Sequence, residues 1–468
     1  MRRTAITLLA GFAIVGCGGS EAKNGEVKPA GIPLSIPNQS PDAKTAAKGT
    51  VATIDQYSAA IKQLIQKANT AVISGRSGVA VESLSQAIGI TPEDASLFRM
   101  RADVYSLQGE NANARADFST AVRLAPNDPD LYNFRGYFLM GQGLGSEARA
   151  DFDKAISINP KYGAALNNRG LLFLAGKDYK SAVADFSLAI DADRNLADAW
   201  NNRGFAQMKL NELDKAMADI RQALHIKEDY VTAWNNCGLV AMQQEKFPDA
   251  EKSFARAMEL DPMDARWVNH HRTALIKQNR FAEAQTDAKK IEWINQLERL
   301  TQVAGRNARD PRAWIIRGQH LVDGQQFSAA IQDFDRALTV SPGNAQALFD
   351  RAVAWAKMGE YQKAMLDCDE SIVANPSLEA YSLRGDLWLR LEDLDLAIAD
   401  FNSAKRFDEQ VAVAYEKRAE KQRSAGDTAE ADADEARSKE IREAMIEKPA
   451  AARDTSTAEG FNPDSSVQ

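Results

Sequence analysis

The chain repeats itself every 34 residues, and a period of that length restricts it to an array of small modules stacked side by side. Aligned Ala-Asp-Phe-type segments place repeat starts at Ile61, Ala95, Pro129, Gly163, Ala197, Val231 and Ala265. After a 12-residue interruption the register resumes at Pro311, Ala345, Leu378 and Ala412. Within each copy, position 4 is large (Tyr132, Trp200, Trp234, Trp314) and position 8 is small (Gly136, Gly170, Gly204, Gly238). Position 20 is Ala, position 24 mostly Phe (Phe118, Phe152, Phe186, Phe254, Phe334, Phe401) and position 27 mostly Ala.

These residues predict two helices per period. Small side chains at 8, 20 and 27 let the helices approach, and the large ones at 4 and 24 fill the space between them. Gly or Asn near position 15 (Gly109, Gly143, Asn211, Gly359) closes the first helix. Pro at position 32 (Pro126, Pro160, Pro262, Pro342) stops the second. A lone hairpin leaves its apolar face open, so neighbouring copies must stack.

The pattern resembles the tetratricopeptide repeat over about residues 61–445. The resemblance implies an all-α fold, a right-handed superhelical solenoid of helical hairpins, and recognition of proteins rather than catalysis. The register gives a first block of about seven repeats at 61–298, a connection at 299–310 and a second block of about four at 311–445, the last of them a cap. The Ala265 copy is degenerate at Val268, His271, Arg272 and Ala288. Beyond it, Ile291, Trp293, Ile294, Leu297 and Leu300 recur at helical spacing and predict a lengthened second helix.

Position 7 is usually Arg and position 23 usually Asp: Arg135 with Asp151, Arg169 with Asp185, Arg203 with Asp219, and five further copies. In the Val231 copy both change together, to Cys237 and Ser253. The joint change predicts that the two side chains meet across the hairpin as a structural ion pair.

In a stack of hairpins the first helices line one side, and positions 2, 5, 6, 9 and 12 share a face. Asn133, Asn167, Asn168, Asn201, Asn202, Asn235 and Asn236 form a ladder of amides there, with Asn269 continuing it at position 5. Beside it runs an apolar stripe of Tyr137, Leu171, Phe205, Leu239, Met140, Met208 and Met242. An amide offers a donor and an acceptor, which suits an extended peptide backbone. The arrangement is similar to the Asn ladder in the repeat region of O-GlcNAc transferases, and that likeness implies only a mode of peptide binding. The alternative is that the amides solvate the groove or bond neighbouring helices. A clamp for a terminal carboxylate needs cations at positions 2 and 6, where Ala164, Asp198 and Thr232 stand instead; Arg266 and Arg312 are isolated exceptions.

Met1-Arg2-Arg3 precedes an apolar run from Ala5 to Val15. As a helix that run spans roughly 16 Å, about half a hydrocarbon core, so it reads as a secretory signal rather than a span. It ends in Ile14-Val15-Gly16-Cys17, which resembles the bacterial lipobox. The resemblance implies a signal peptide at 1–16, lipidation of Cys17 and a place in the bacterial cell envelope, at the outer membrane or the periplasmic face of a membrane. Residues 17–60 then read as a flexible tether, and 446–468 as a disordered tail.

The net charge of −8 supplies no basic excess for nucleic acid. Gly141-Gln-Gly-Leu-Gly145 lacks both a Walker lysine and a preceding strand, and it falls at a hairpin turn. His270 and His271 are adjacent, hence on different helix faces, and have no ligand at metal spacing. His225 and His320 are solitary, and Cys237 and Cys368 lie at core positions as expected free thiols. The sequence therefore points to a non-catalytic scaffold with a protein or peptide partner, no metal and no cofactor. A self-assembling unit, or an accessory subunit of an envelope enzyme complex, is the other reading.

Overall fold

The computed structural model describes residues 58–447. The signal peptide, Cys17 and most of the expected tether and tail lie outside those residues. Among the described residues all regular structure is helical: 22 helices pair into eleven consecutive hairpins. First helices run Pro129–Gly141, Gly163–Ala175, Ala197–Lys209, Val231–Gln243 and Ala265–Lys277, each followed by a second helix after a three-residue turn.

Those turns pivot on one backbone conformation. Position 15 has φ between +58° and +98° in all eleven hairpins, filled by Gly75, Gly109, Gly143, Gly359 and Gly426 and elsewhere by Lys177, Asn211, Glu245, Asn279, Gln325 and Glu392. The left-handed residue reverses the chain and satisfies the carbonyls at the end of the first helix. Several first helices begin where a side chain caps them: Asp94, Asp128, Asp264 and Asp310 each accept from a backbone N–H two residues on.

In five hairpins the interior is a ring seated on a bare backbone. Phe152, Phe186, Phe254, Phe334 and Phe401 are fully buried. A Cβ placed on Gly136 or Gly170 would lie 2.7 Å or 2.6 Å from the ring of Phe152 or Phe186. In those five a side chain at position 8 would strike the position-24 ring, which favours Gly there. The position-20 alanines have no exposed surface in nearly every copy, which brings the two helix backbones into contact.

The described residues form two compact units that part between Ala288 and Lys289. In the first, hairpins stack from Ala59 to the Ala265 copy. The second helix of that copy, Phe281–Arg306, is 26 residues long and continues through residues 299–306. In the second unit Trp293 and His320 lock reciprocally. The indole Nε1 donates to the His320 carbonyl at 3.1 Å, the His320 Nε2 lies 2.9 Å from the Trp293 carbonyl, and the rings stack at 5.2 Å. Leu297 packs with Leu321 and Phe334. No helix of the described residues is long and apolar enough to cross a membrane.

Candidate functional site

The position-7 guanidinium is a three-way joint. In Arg135, Arg169 and Arg203 the Nε and Nη2 donate to the two carboxylate oxygens of Asp151, Asp185 and Asp219 at 2.6–2.8 Å. The same forked pairing joins Arg101 to Asp117, Arg317 to Asp333, Arg351 to Asp367, Arg384 to Asp400 and Arg418 to Asp434. The remaining nitrogen reaches the preceding hairpin: Arg169 to Asp153 at 2.7 Å, Arg203 to Ser187 at 3.1 Å, Arg101 to Ser85 at 2.9 Å. The Asp185 carboxylate beside it, with burial opposing, holds the Arg169 guanidinium above its ordinary range.

Three hairpins depart from this rule, and the first of them carries Lys67 and Ser83 at the two positions. Cys237 is buried, 3.6 Å from the Met217 sulfur, with its thiol pushed up by burial. In the Ala265 copy the joint survives as His271 Nδ1 against Asp287 Oδ2 at 2.6 Å. Sequence reasoning passed over Asp287, although it stands at position 23; the changed partner at position 7 concealed the pair. Cys237 and Cys368 are both free and buried, and burial pushes the Cys368 thiol up to about 12.

The amides are not independent rungs. Asn168 Nδ2 donates to Asn133 Oδ1 at 2.9 Å, Asn202 to Asn167 at 3.0 Å and Asn236 to Asn201 at 2.9 Å. The series ends with His270 Nδ1, 2.6 Å from Asn235 Oδ1. Position 6 of each repeat thus donates back to position 5 of the one before. Asn133, Asn167, Asn201 and Asn235 are buried beneath this chain of bonds, and Asn269 is exposed, outside it. His270 takes the rung that an amide fills elsewhere, and its imidazole is held below its ordinary range by burial and then by Arg266.

Tyr137, Leu171, Phe205 and Leu239 are half-buried beside the amides, as are Met140 and Met242. Met208, expected in the same stripe, is instead 3% exposed and packs with Ile220 and Val240. Two tyrosines outside the sequence reading complete the face. Tyr230 Oη donates to Asp198 Oδ1 at 2.7 Å, and Asp130 stands in the corresponding place near Tyr162. The signal for them was a Tyr at position 34, where other copies carry a capping Asp. Arg266 and Arg312 are occupied by their own helix caps, Asp264 and Asp310. Among the described residues no group of three His, Cys, Asp or Glu is placed to hold a metal ion.

The chain matches family models described as tetratricopeptide repeat at residues 65–129, 135–197, 297–345 and 317–379, and at 197–230. It is similar to human sperm-associated antigen 1 (35% identity over 80 residues, 17% of this chain and 9% of that protein). It is also similar to mouse DnaJ homolog subfamily C member 3 (28% over 157 residues, 33% and 31%). The chain spans less than a third of the length of these curated relatives. Among solved structures, the type IV pilus biogenesis factor PilW matches with a TM-score of 0.41 at 20% identity, over 47% of this chain and 100% of that one. YrrB, described as a TPR protein with an unusual peptide-binding site, matches with a TM-score of 0.34 at 21% identity, over 42% and 100%.

Proposed function

We propose, from the premise that this chain belongs to the tetratricopeptide repeat family, that it is a non-catalytic scaffold holding an extended segment of a partner protein against the first helices of the Pro129–Ala265 repeats. One observation carries the reading: an unbroken file of amides beside a half-buried apolar stripe. One N–H of each position-6 amide is engaged with the neighbouring repeat, which leaves its second N–H and its carbonyl oxygen for a ligand. Such an oxygen accepts from a backbone N–H of an extended strand, and each bond contributes about 0.5–1.5 kcal/mol. The stripe of Tyr137, Leu171, Phe205 and Leu239 adds apolar contact that tolerates varied side chains. Attachment to a bacterial envelope through acyl chains on Cys17 is part of the same proposal and rests on the lipobox-like Ile14–Cys17.

The inter-repeat bonds favour a second reading, in which the amides serve only to hold neighbouring helices. The two readings separate by experiment. Replacing Asn168, Asn202 and Asn236 with Ala removes both functions and lowers the melting temperature, since three buried or half-buried bonds are lost. Replacing the same residues with His, as His270 does naturally, keeps a ring N–H for the preceding Asn and removes the amide oxygen. Peptide binding requires that the His variant melts near the parent and captures the cellular partner poorly. Parent-like capture by that variant would assign the ladder to structure alone.

A further inference from the structure

Two carboxylates on this face have no cation of their own. Every position-23 Asp named above is matched to an Arg or His, yet among the described residues Asp130 and Asp198 form no ion pair. They occupy position 2 of hairpins two repeats apart. Each lies beside the tyrosine that leads into the next hairpin: Tyr230 donates to Asp198 at 2.7 Å, and Asp130 acts on Tyr162 in the corresponding place. Burial first, and these carboxylates next, push both phenols up. A phenolic proton satisfies one carboxylate oxygen and leaves the charge in place. The charge reaches the apolar stripe, since Tyr137 is pushed up by burial and then by Asp198.

The separation follows from packing. Neighbouring first helices are close enough for direct amide bonds, and packed helices stand about 8–10 Å apart. Two repeats therefore separate the carboxylates by about 16–20 Å, or five to six residues of an extended strand at about 3.3 Å each. Side chains on one face of a strand recur at even spacing, which selects about six.

We propose that the groove accepts an extended partner segment with two basic side chains six residues apart and apolar residues between them, the cations lying at Asp130 and Asp198. This rests on the groove reading above. It fixes the partner's chemistry: basic and apolar, not acidic, so an acidic terminal peptide is excluded.

The test uses the full chain and fluorescein-labelled synthetic peptides of alternating Ser and Val, carrying two Lys, two Ala or two Glu six positions apart. Anisotropy should rank them Lys, Ala, Glu, with the Lys peptide about tenfold tighter than the Ala peptide at low salt. The gap should shrink near 1 M salt, where charges are screened within about 3 Å. The double variant Asp130→Asn and Asp198→Asn, which keeps an acceptor for Tyr230, should bind Lys and Ala peptides alike while melting near the parent. Equal binding of all three peptides by the parent overturns the charge inference and leaves the groove reading intact. So does a Lys preference that survives in the double variant. Failure of the Lys peptide to bind also overturns it, and the ladder experiment on the cellular partner still decides the groove reading on its own.

Discussion

Asp350 shows how one side chain adapts a repeated position. It stands at position 6 of its copy, where three copies of the first unit use Asn, and is buried between Gln319 and Gln346, which donate to its two oxygens at 2.8 Å and 2.9 Å. Burial pushes its carboxyl up to about 6 against the hydrogen bonds from both glutamines. An unfolded Asp titrates near 3.9, so the native state binds the extra proton between those values. Its contribution to stability is greatest below about pH 4 and declines as pH rises through about 6. Asp350→Asn is expected to match the parent near pH 4 and to exceed it by about 1–2 kcal/mol at pH 7. Urea melts at a series of pH values check this; a gap that is constant with pH would contradict it. At this scale much was legible in the sequence, because Gly at position 8 and Phe at position 24 are linked by direct contact within one hairpin.

The hairpin is the unit that the forked Arg–Asp pair secures. Arg203 and Asp219 are largely buried, at 19% and 9% side-chain exposure. Asp219→Ala leaves an uncompensated guanidinium and is expected to cost about 3 kcal/mol. Arg203→Met with Asp219→Leu removes both charges and should cost far less, on the order of 1 kcal/mol. Equal losses in the single and double variants, measured by denaturant unfolding, would contradict the assignment. The periodic pattern made the helices legible: the register starts at Ala95, Pro129, Gly163, Ala197, Val231 and Ala265 are the first residues of observed helices. It did not reveal which neighbour each amide takes. Adjacent positions 5 and 6 both lie near one face, and only the packing of one repeat on the next sends position 5 inward and position 6 backward. The same limit hid the His271–Asp287 and Tyr230–Asp198 pairs, whose members lie 16 and 32 residues apart.

At the scale of each unit, a stack in which each hairpin touches its neighbours presents an extended surface from local contacts alone. The proposed anchor places that surface at a membrane. Cys17→Ala is expected to move the protein from the membrane to the soluble fraction on cell fractionation, and persistence at the membrane would contradict lipidation. The central claim is that the face bearing the amide ladder is the one that recognises a partner. The most direct measurement places a photo-crosslinking amino acid at Leu171 or Leu239, half-buried beside the ladder, and separately at Leu188, which is 51% exposed on a second helix. After illumination of intact cells, mass spectrometry should recover one and the same partner segment from positions 171 and 239 and not from position 188. Recovery of that partner from position 188 alone would contradict the account.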